Sequence, residues 1–339
     1  MTVTSSPQPG TLNRRQFLKI TAVATAITGA LLAGRQLKIN QTAVPFTQTR
    51  ALMGTVIHLS VIAGNTGAAQ NAVEAAFAEM ARLIAIFDHR QPASPLAQLN
   101  QTGALVSPPT ELVEVIQRAQ QYGRLTRGAF DISVKPLVDA YQNGLSDTAA
   151  QRPLVDYRKI QADAANITLG HPGMALTLDG IAKGRVVDGA TAVLQAHGFS
   201  NILVEAGGDL MGLGRHADGS PWRVGIENPR PGEERLMRVF PISMQAVATS
   251  GDYMYRFSQD FSQHHIIDPR TGTSPTDLAS VTVLAPSATD ADALSTAVMV
   301  LGSEAGLELA ARLPHVEVLV ITKALEIRQT AGFPAGDLK

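Results

Sequence analysis

The chain has 339 residues, 45% of them hydrophobic, enough to pack a core in one large domain or two ordinary ones. Its 28 basic and 29 acidic residues nearly cancel, so composition gives no support for a nucleic-acid binder and no nucleic-acid partner is expected. With no cysteine, disulfides, thiolate metal ligands, a cysteine nucleophile and a lipidated cysteine are excluded.

At the N-terminus, Asn13-Arg-Arg-Gln-Phe-Leu-Lys19 precedes an uncharged run over residues 20–33. That run is short for a membrane span and fits a signal h-region. The pattern resembles the twin-arginine export signal, which implies a periplasmic protein. A small-x-small cleavage site is poorly formed near Ala33, which leaves open an uncleaved leader tethering the chain to the inner membrane. Residues 1–40 are expected to be leader and linker, and 45–339 a single folded domain.

Residues 50–62 then alternate like a strand, with Met53-Gly54-Thr55 at its start. Residues 66–87, rich in Ala, Glu and Met at helical spacing, predict a helix capped by Asn65. Prolines flanking small residues in Asp88-His-Arg-Gln-Pro-Ala-Ser-Pro95 mark an irregular loop leading to residues 96–100. Residues 110–126 read as helix, and Gly128-Ala-Phe-Asp-Ile-Ser-Val-Lys-Pro-Leu137 closes the first third. A polar region, 143–166, runs into a short strand at 175–178, a helix at 184–197 and a strand at 202–205. Further strands are expected at 222–228, 237–243, 246–249, 281–285 and 316–322, with helices at 290–301 and 303–312. Paired strands with helices between them, lacking regular strand-helix alternation, predict an α+β fold of mixed or antiparallel sheets packed with helices.

The chemistry centres on residues 177–209, where Thr177-Leu-Asp-Gly-Ile-Ala-Lys-Gly leads into a helix and Val204-Glu-Ala-Gly-Gly-Asp follows one helix length later. Glycine-rich turns and helix starts offer backbone N–H groups to anions, and Lys183 adds a point charge, so the stretch reads as half of a phosphate site. Asp292 and Thr296, four apart on a helix, project from one face and are hard oxygen ligands suited to Mg²⁺ or Ca²⁺. On spacing alone such a pair is more often a helix cap with a solvated face. His265, before Ile266-Ile267 and an Asp-Pro-Arg-Thr-Gly turn, is a candidate general base or an ordinary surface histidine.

Seven segments together carry more information than any one of them. Met53-Gly-Thr, Gly128-Ala-Phe-Asp-Ile-Ser, Asp179-Gly-Ile-Ala-Lys-Gly with Asp188, Ala206-Gly-Gly-Asp, Ala248-Thr-Ser-Gly-Asp-Tyr, His265-Ile-Ile-Asp-Pro-Arg-Thr-Gly and Ala291-Asp-Ala-Leu-Ser-Thr stand in the order found in the ApbE family. From about Thr49 to the C-terminus the chain resembles these FAD:protein FMN transferases. The resemblance implies a tunnelling-fold-like α+β architecture and an exported, Mg²⁺-dependent enzyme. Such an enzyme takes FAD, releases AMP and joins FMN through a phosphoester to a threonine or serine hydroxyl of an acceptor flavoprotein. It also implies that Met53, Ala129, Phe130, Asp131, Thr177, Lys183 and Ile267 contact FAD. The metal would rest on the Gly180 carbonyl and the side chains of Asp292 and Thr296, with Ser295 a further candidate and His265 the base.

Three departures from the family pattern stand out. Thr177 stands where many relatives have an aspartate and Ser295 where some have a second acidic metal ligand, which implies a metal held more weakly or through water, and Arg90 falls near a tyrosine that packs on FAD in some members. A periplasmic FAD carrier without turnover and an FAD pyrophosphatase are the alternative functions. Family members with twin-arginine leaders resemble the NosX type, which implies a NosR-like membrane regulator as acceptor.

Overall fold

The computed structural model describes residues 43–145, 148–230 and 236–338; the expected leader lies outside them. An eight-stranded sheet forms the centre. Its strands are β1 (Val44–Leu52), β2 (Thr55–Ala63), β6 (Ile202–Ala206), β7 (Asp209–Leu213), β10 (Gln245–Gly251), β11 (Leu278–Ala285), β12 (Glu317–Thr322) and β13 (Ile327–Gln329), neighbours in that order. Every adjacent pair is antiparallel, so the sheet meanders in chain order with insertions between its strands. A small sheet of β3 (Ala104–Val106), β5 (Asn166–Leu169) and β4 (Ile160–Ala162) lies in the first insertion. A third sheet joins β8 (Trp222–Glu227), β9 (Leu236–Ile242) and β14 (Asp337–Leu338). The α-helices are α1 (Thr66–Phe87), α2 (Pro95–Thr102), α3 (Thr110–Leu125), α4 (Lys135–Gln142), α5 (Ala182–Ala196), α6 (Ala288–Leu301) and α7 (Ser303–Ala311).

Strand periodicity explains the layering, because successive side chains point to opposite faces. Val281 and Val283 of β11 and Val318 and Val320 of β12 join the helices in the main core. Leu284, Leu319 and Ile321, one residue out of phase, pack with Trp222, Phe240 and Phe333 on the other face. Both faces of the central strands are therefore apolar, which accounts for the uninterrupted hydrophobic run near the C-terminus.

The antiparallel α+β fold agrees with the sequence reading, and α1 starts and ends where its pattern predicts, its Asn65 cap accepting from the Ala68 amide at 3.1 Å. Two expectations are corrected. The strand expected at 50–62 is a hairpin, with Met53 (φ 53°) and Gly54 (φ 69°) in the left-handed turn between β1 and β2. Residues 175–178 form no strand. Their backbone groups are satisfied by the Asn100 side chain, which both donates to and accepts from Leu176, and by the Ile132 carbonyl, which accepts from the Thr177 amide. The elements α2, β3, α4, β4, β5, β7, β13 and β14 are additions to what the sequence pattern predicts.

Candidate functional site

The half expected from the sequence to face phosphate is built where α5 meets α6. Gly184 brings the two backbones together: a Cβ there would lie 2.1 Å from the Ala288 carbonyl oxygen, so no other residue fits without a shift. Asp188, one turn further along α5, caps α6 from outside, its carboxylate accepting from the Ala288 amide (2.8 Å) and the Thr289 amide (2.9 Å). These contacts fix Lys183 on α5 relative to Asp292 and Thr296 on α6.

Lys183 is largely buried, its Nζ 2.8 Å from Asp209 and 3.5 Å from the Gly207 carbonyl. Burial acts to lower its pKa, but the Asp209 and Asp292 charges outweigh it and hold the ammonium above the ordinary lysine value. The Asp292 carboxylate accepts from the Gly184 amide at 3.0 Å. Burial, joined by the Asp209 charge beside it, pushes its pKa well above the usual carboxylate range. Asp209 is raised too, by burial, and its Oδ2 finds no donor among the described residues. Two neighbouring buried carboxyls with one cation beside them favour holding a proton in the pair.

Hydroxyls complete this centre. Ser295 donates to the Asp292 carbonyl at 2.9 Å and pairs with Ser250 of β10 at 2.8 Å, while Ser250 lies 3.4 Å from Thr296. The Thr296 hydroxyl also lies 3.0 Å from where a Cβ on Gly180 would be, so the Gly180 backbone abuts it directly. Among the described residues no three His, Cys, Asp or Glu side chains are grouped to hold a metal. The chemistry of the donors present, a buried carboxyl pair with an unpartnered oxygen beside threonine and serine hydroxyls, does fit a hard divalent cation.

The second half is the hairpin at 253–265. His265 donates its backbone N–H to the Tyr255 carbonyl (2.9 Å), and its Nδ1 lies 3.2 Å from the same oxygen. A carbonyl only accepts, so Nδ1 carries the proton and Nε2 keeps a free lone pair. Burial, then the adjacent His264, pushes the His265 pKa down to about 4, and the charges of Asp179 and Lys183 reach its ring.

The remaining expected contacts separate into groups. Met53 is partly exposed in its turn, and the following hairpin residue Thr55 sits against Gly207. Phe130 packs on Gly180, its Cε2 3.3 Å from where a Cβ on that glycine would stand, while Ala129 beside it is buried. Asp131 faces inward, accepting from the Ser133 amide and hydroxyl and from the Tyr157 amide, so its carboxylate is already satisfied. Thr177 accepts from the Asp179 amide at 3.2 Å, and Arg90 forms a two-pronged ion pair with Asp179, at 3.2 and 2.7 Å. Ile267 packs apart, with Leu137 and Tyr141.

Sequence reasoning assigns no role to Asp209, Ser250 or Glu205, although all three lie inside its motifs. Asp209 heads a strand whose other residues are apolar, a signal that a buried charge needs a partner. Glu205 accepts from the Gly208 amide at 3.2 Å and so shapes the turn that presents Gly207 to Lys183.

Comparison with known proteins agrees with this architecture. The chain is 34% identical over 226 residues to the FAD:protein FMN transferase of Vibrio cholerae serotype O1, covering 63% of this chain and 67% of that protein. It is 30% identical over 315 residues to the enzyme of the same name from Treponema pallidum, covering 85% and 87%. The solved flavin transferase ApbE from Vibrio cholerae superimposes with a TM-score of 0.75 at 28% identity, over 86% of this chain and 98% of that one. The ApbE protein from Thermotoga maritima gives 0.77 at 27% identity, over 85% and 98%. The ApbE family profile matches residues 53–320, and the chain belongs to the ApbE family.

Proposed function

We propose that this chain is an FAD:protein FMN transferase that moves FMN from FAD to a threonine or serine hydroxyl of an acceptor protein, with Mg²⁺ as cofactor. One observation carries the reading: a neutral His265 with its Nε2 free stands within electrostatic reach of Lys183, the cation of the carboxyl centre. In the transfer, the acceptor oxygen attacks the FMN-side phosphorus as its proton passes to His265 Nε2. The bond from that phosphorus to the bridging oxygen breaks, and AMP leaves with the oxygen. Lys183 keeps one N–H donor beyond its bonds to Asp209 and the Gly207 carbonyl and offers it to the phosphate oxygens. Asp292, Thr296 and the Gly180 carbonyl would hold the magnesium, which when bound withdraws charge from those oxygens.

The reading extends to residues 1–40 as a twin-arginine leader, 45–339 as the transferase domain, and a periplasm-facing acceptor such as a NosR-like regulator. The test is incubation with FAD, Mg²⁺ and a candidate acceptor, followed by a denaturing gel under ultraviolet light. A fluorescent acceptor band and free AMP are expected, and His265→Ala should keep FAD binding and lose the band. Free FMN with a dark acceptor would make the protein a pyrophosphatase, and bound FAD without AMP would make it a carrier.

A further inference from the structure

His265 owes its geometry to a hairpin held from both sides. Its legs pair through the Arg256–His264 bridge and the Phe257 amide, which donates to the Gln263 carbonyl at 2.8 Å. Asp260 ties the tip, accepting from the Ser262 amide and hydroxyl. On one flank Phe257 stacks on Tyr141, ring centroids 5.8 Å apart. On the other flank is a charged group that the transfer chemistry does not use.

Asp252, fully buried where β10 ends and the hairpin begins, accepts from both terminal nitrogens of Arg230 at 2.7 Å and lies 3.1 Å from Lys323. Lys323 Nζ also donates to the Phe261 carbonyl at 2.6 Å. The Phe261 ring, at a left-handed backbone position (φ 61°), lies 4.2 Å from the Arg230 guanidinium and 4.8 Å from that of Arg256. One carboxylate thus fixes two cations, and both grip the same residue of the hairpin. A planar, two-pronged guanidinium suits this task because it pairs with a carboxylate through its edge and with an aromatic ring through its face.

We propose that Arg230, Lys323 and Asp252 form a clasp that positions His265 for transfer by holding Phe261, and with it the Tyr255 carbonyl beneath Nδ1. The inference rests on the transferase reading for its consequence in catalysis, while the clasp itself acts on the imidazole of the free protein. Arg230 and Lys323 are positioning residues; neither touches the reacting atoms. Because Tyr141 holds the hairpin's other flank, loss of Arg230 loosens the orientation of His265 without unfolding the domain.

The test uses the full chain and three variants: Arg230→Ala, Arg230→Lys and Phe261→Leu, the last of which keeps every charge. Long-range ¹H–¹⁵N spectra of the imidazoles, with His265 assigned by its absence in His265→Gln, read tautomer and titration directly. The larger charges at His265 come from His264, Asp179 and Lys183, and all three are unaltered in each variant. Wild type is expected to show one tautomer, protonated at Nδ1. Arg230→Ala and Phe261→Leu are expected to show mixed tautomers and a titration shifted toward 6.5, with Arg230→Lys between them and wild type.

With FAD, Mg²⁺ and a purified bacterial domain known to carry threonine-linked FMN, kcat is expected to fall about 100-fold in Arg230→Ala, the cost of misplacing a catalytic group by about 1 Å. FAD affinity should stay within about twofold. An unaltered tautomer and titration in Arg230→Ala would overturn the clasp. A change in Arg230→Ala with none in Phe261→Leu would overturn it too, since the effect would then be one of charge. If wild type labels no acceptor, the transferase reading fails, and the imidazole spectra still decide whether the clasp holds His265.

Discussion

His265 and Lys183 are perturbed in opposite senses, and each shift suits the task proposed for it. Burial keeps His265 neutral, so the acid limb of kcat/KM that it governs is expected near pH 4 and not near the ordinary histidine value of 6.5. The sign follows from the base losing its lone pair on protonation, so activity falls as pH drops through that value. A pH profile from about 3.5 to 8 measures it, and a limb centred near 6.5 would contradict the assignment. Lys183→Met removes a charge-assisted contact of about 1.5–3 kcal/mol and leaves Asp209 without its cation, so FAD should bind roughly 10–100-fold more weakly by fluorescence titration. Lys183 was legible in the sequence because glycine-rich context marks anion sites. Its pairing with Asp209 was not, since the two meet only when β7 folds beside α5.

At the level of elements, legibility followed length and period. Helix α1 spans 22 residues with one apolar face and a capping asparagine, so local signals agree throughout. The strands β3, β4 and β5 have three or four residues each, too few for alternation to register. Residues 175–178 look like a strand because they alternate, but an asparagine side chain supplies the partner that a neighbouring strand would give. The least visible device is Asp188, which caps a helix 100 residues further along the chain. Asp188→Ala strips a partner from two amides at the start of α6 and is expected to destabilise the domain by about 1–3 kcal/mol. Because α6 carries Asp292 and Thr296, the Mg²⁺ needed for half-maximal transfer should rise as well. Thermal melts and a Mg²⁺ titration check both, and an unchanged Mg²⁺ requirement would confine Asp188 to stability.

Across the whole molecule, the antiparallel α+β class was legible from strands arriving in pairs, whereas the meander order of the sheet needed the pairing itself. The site draws on α5, α6, β7, β10 and the 253–265 hairpin, so stability and binding are linked. Asp292 has a folded pKa above its unfolded value, so the native state holds a proton the unfolded chain has released. That contribution is present at low pH and is lost as pH rises from the ordinary carboxylate range through the raised value. Metal-free wild type should therefore lose stability over this window relative to Asp292→Asn, measured as the difference between their denaturation curves. Mg²⁺ at about 100 times its Kd should add about 2.7 kcal/mol to wild type and nothing comparable to Asp292→Asn. Equal metal stabilisation of both proteins would place the ion elsewhere.

The bare contact of Gly184 with Ala288 leaves no side chain between the two helices that could rotate, thin out or swell. The lysine and the aspartate they bear are therefore expected to keep one spacing when flavin binds. If the proposed site yields when it takes up a large dinucleotide and then a protein acceptor, the movement is expected in the 253–265 hairpin and not at this seam.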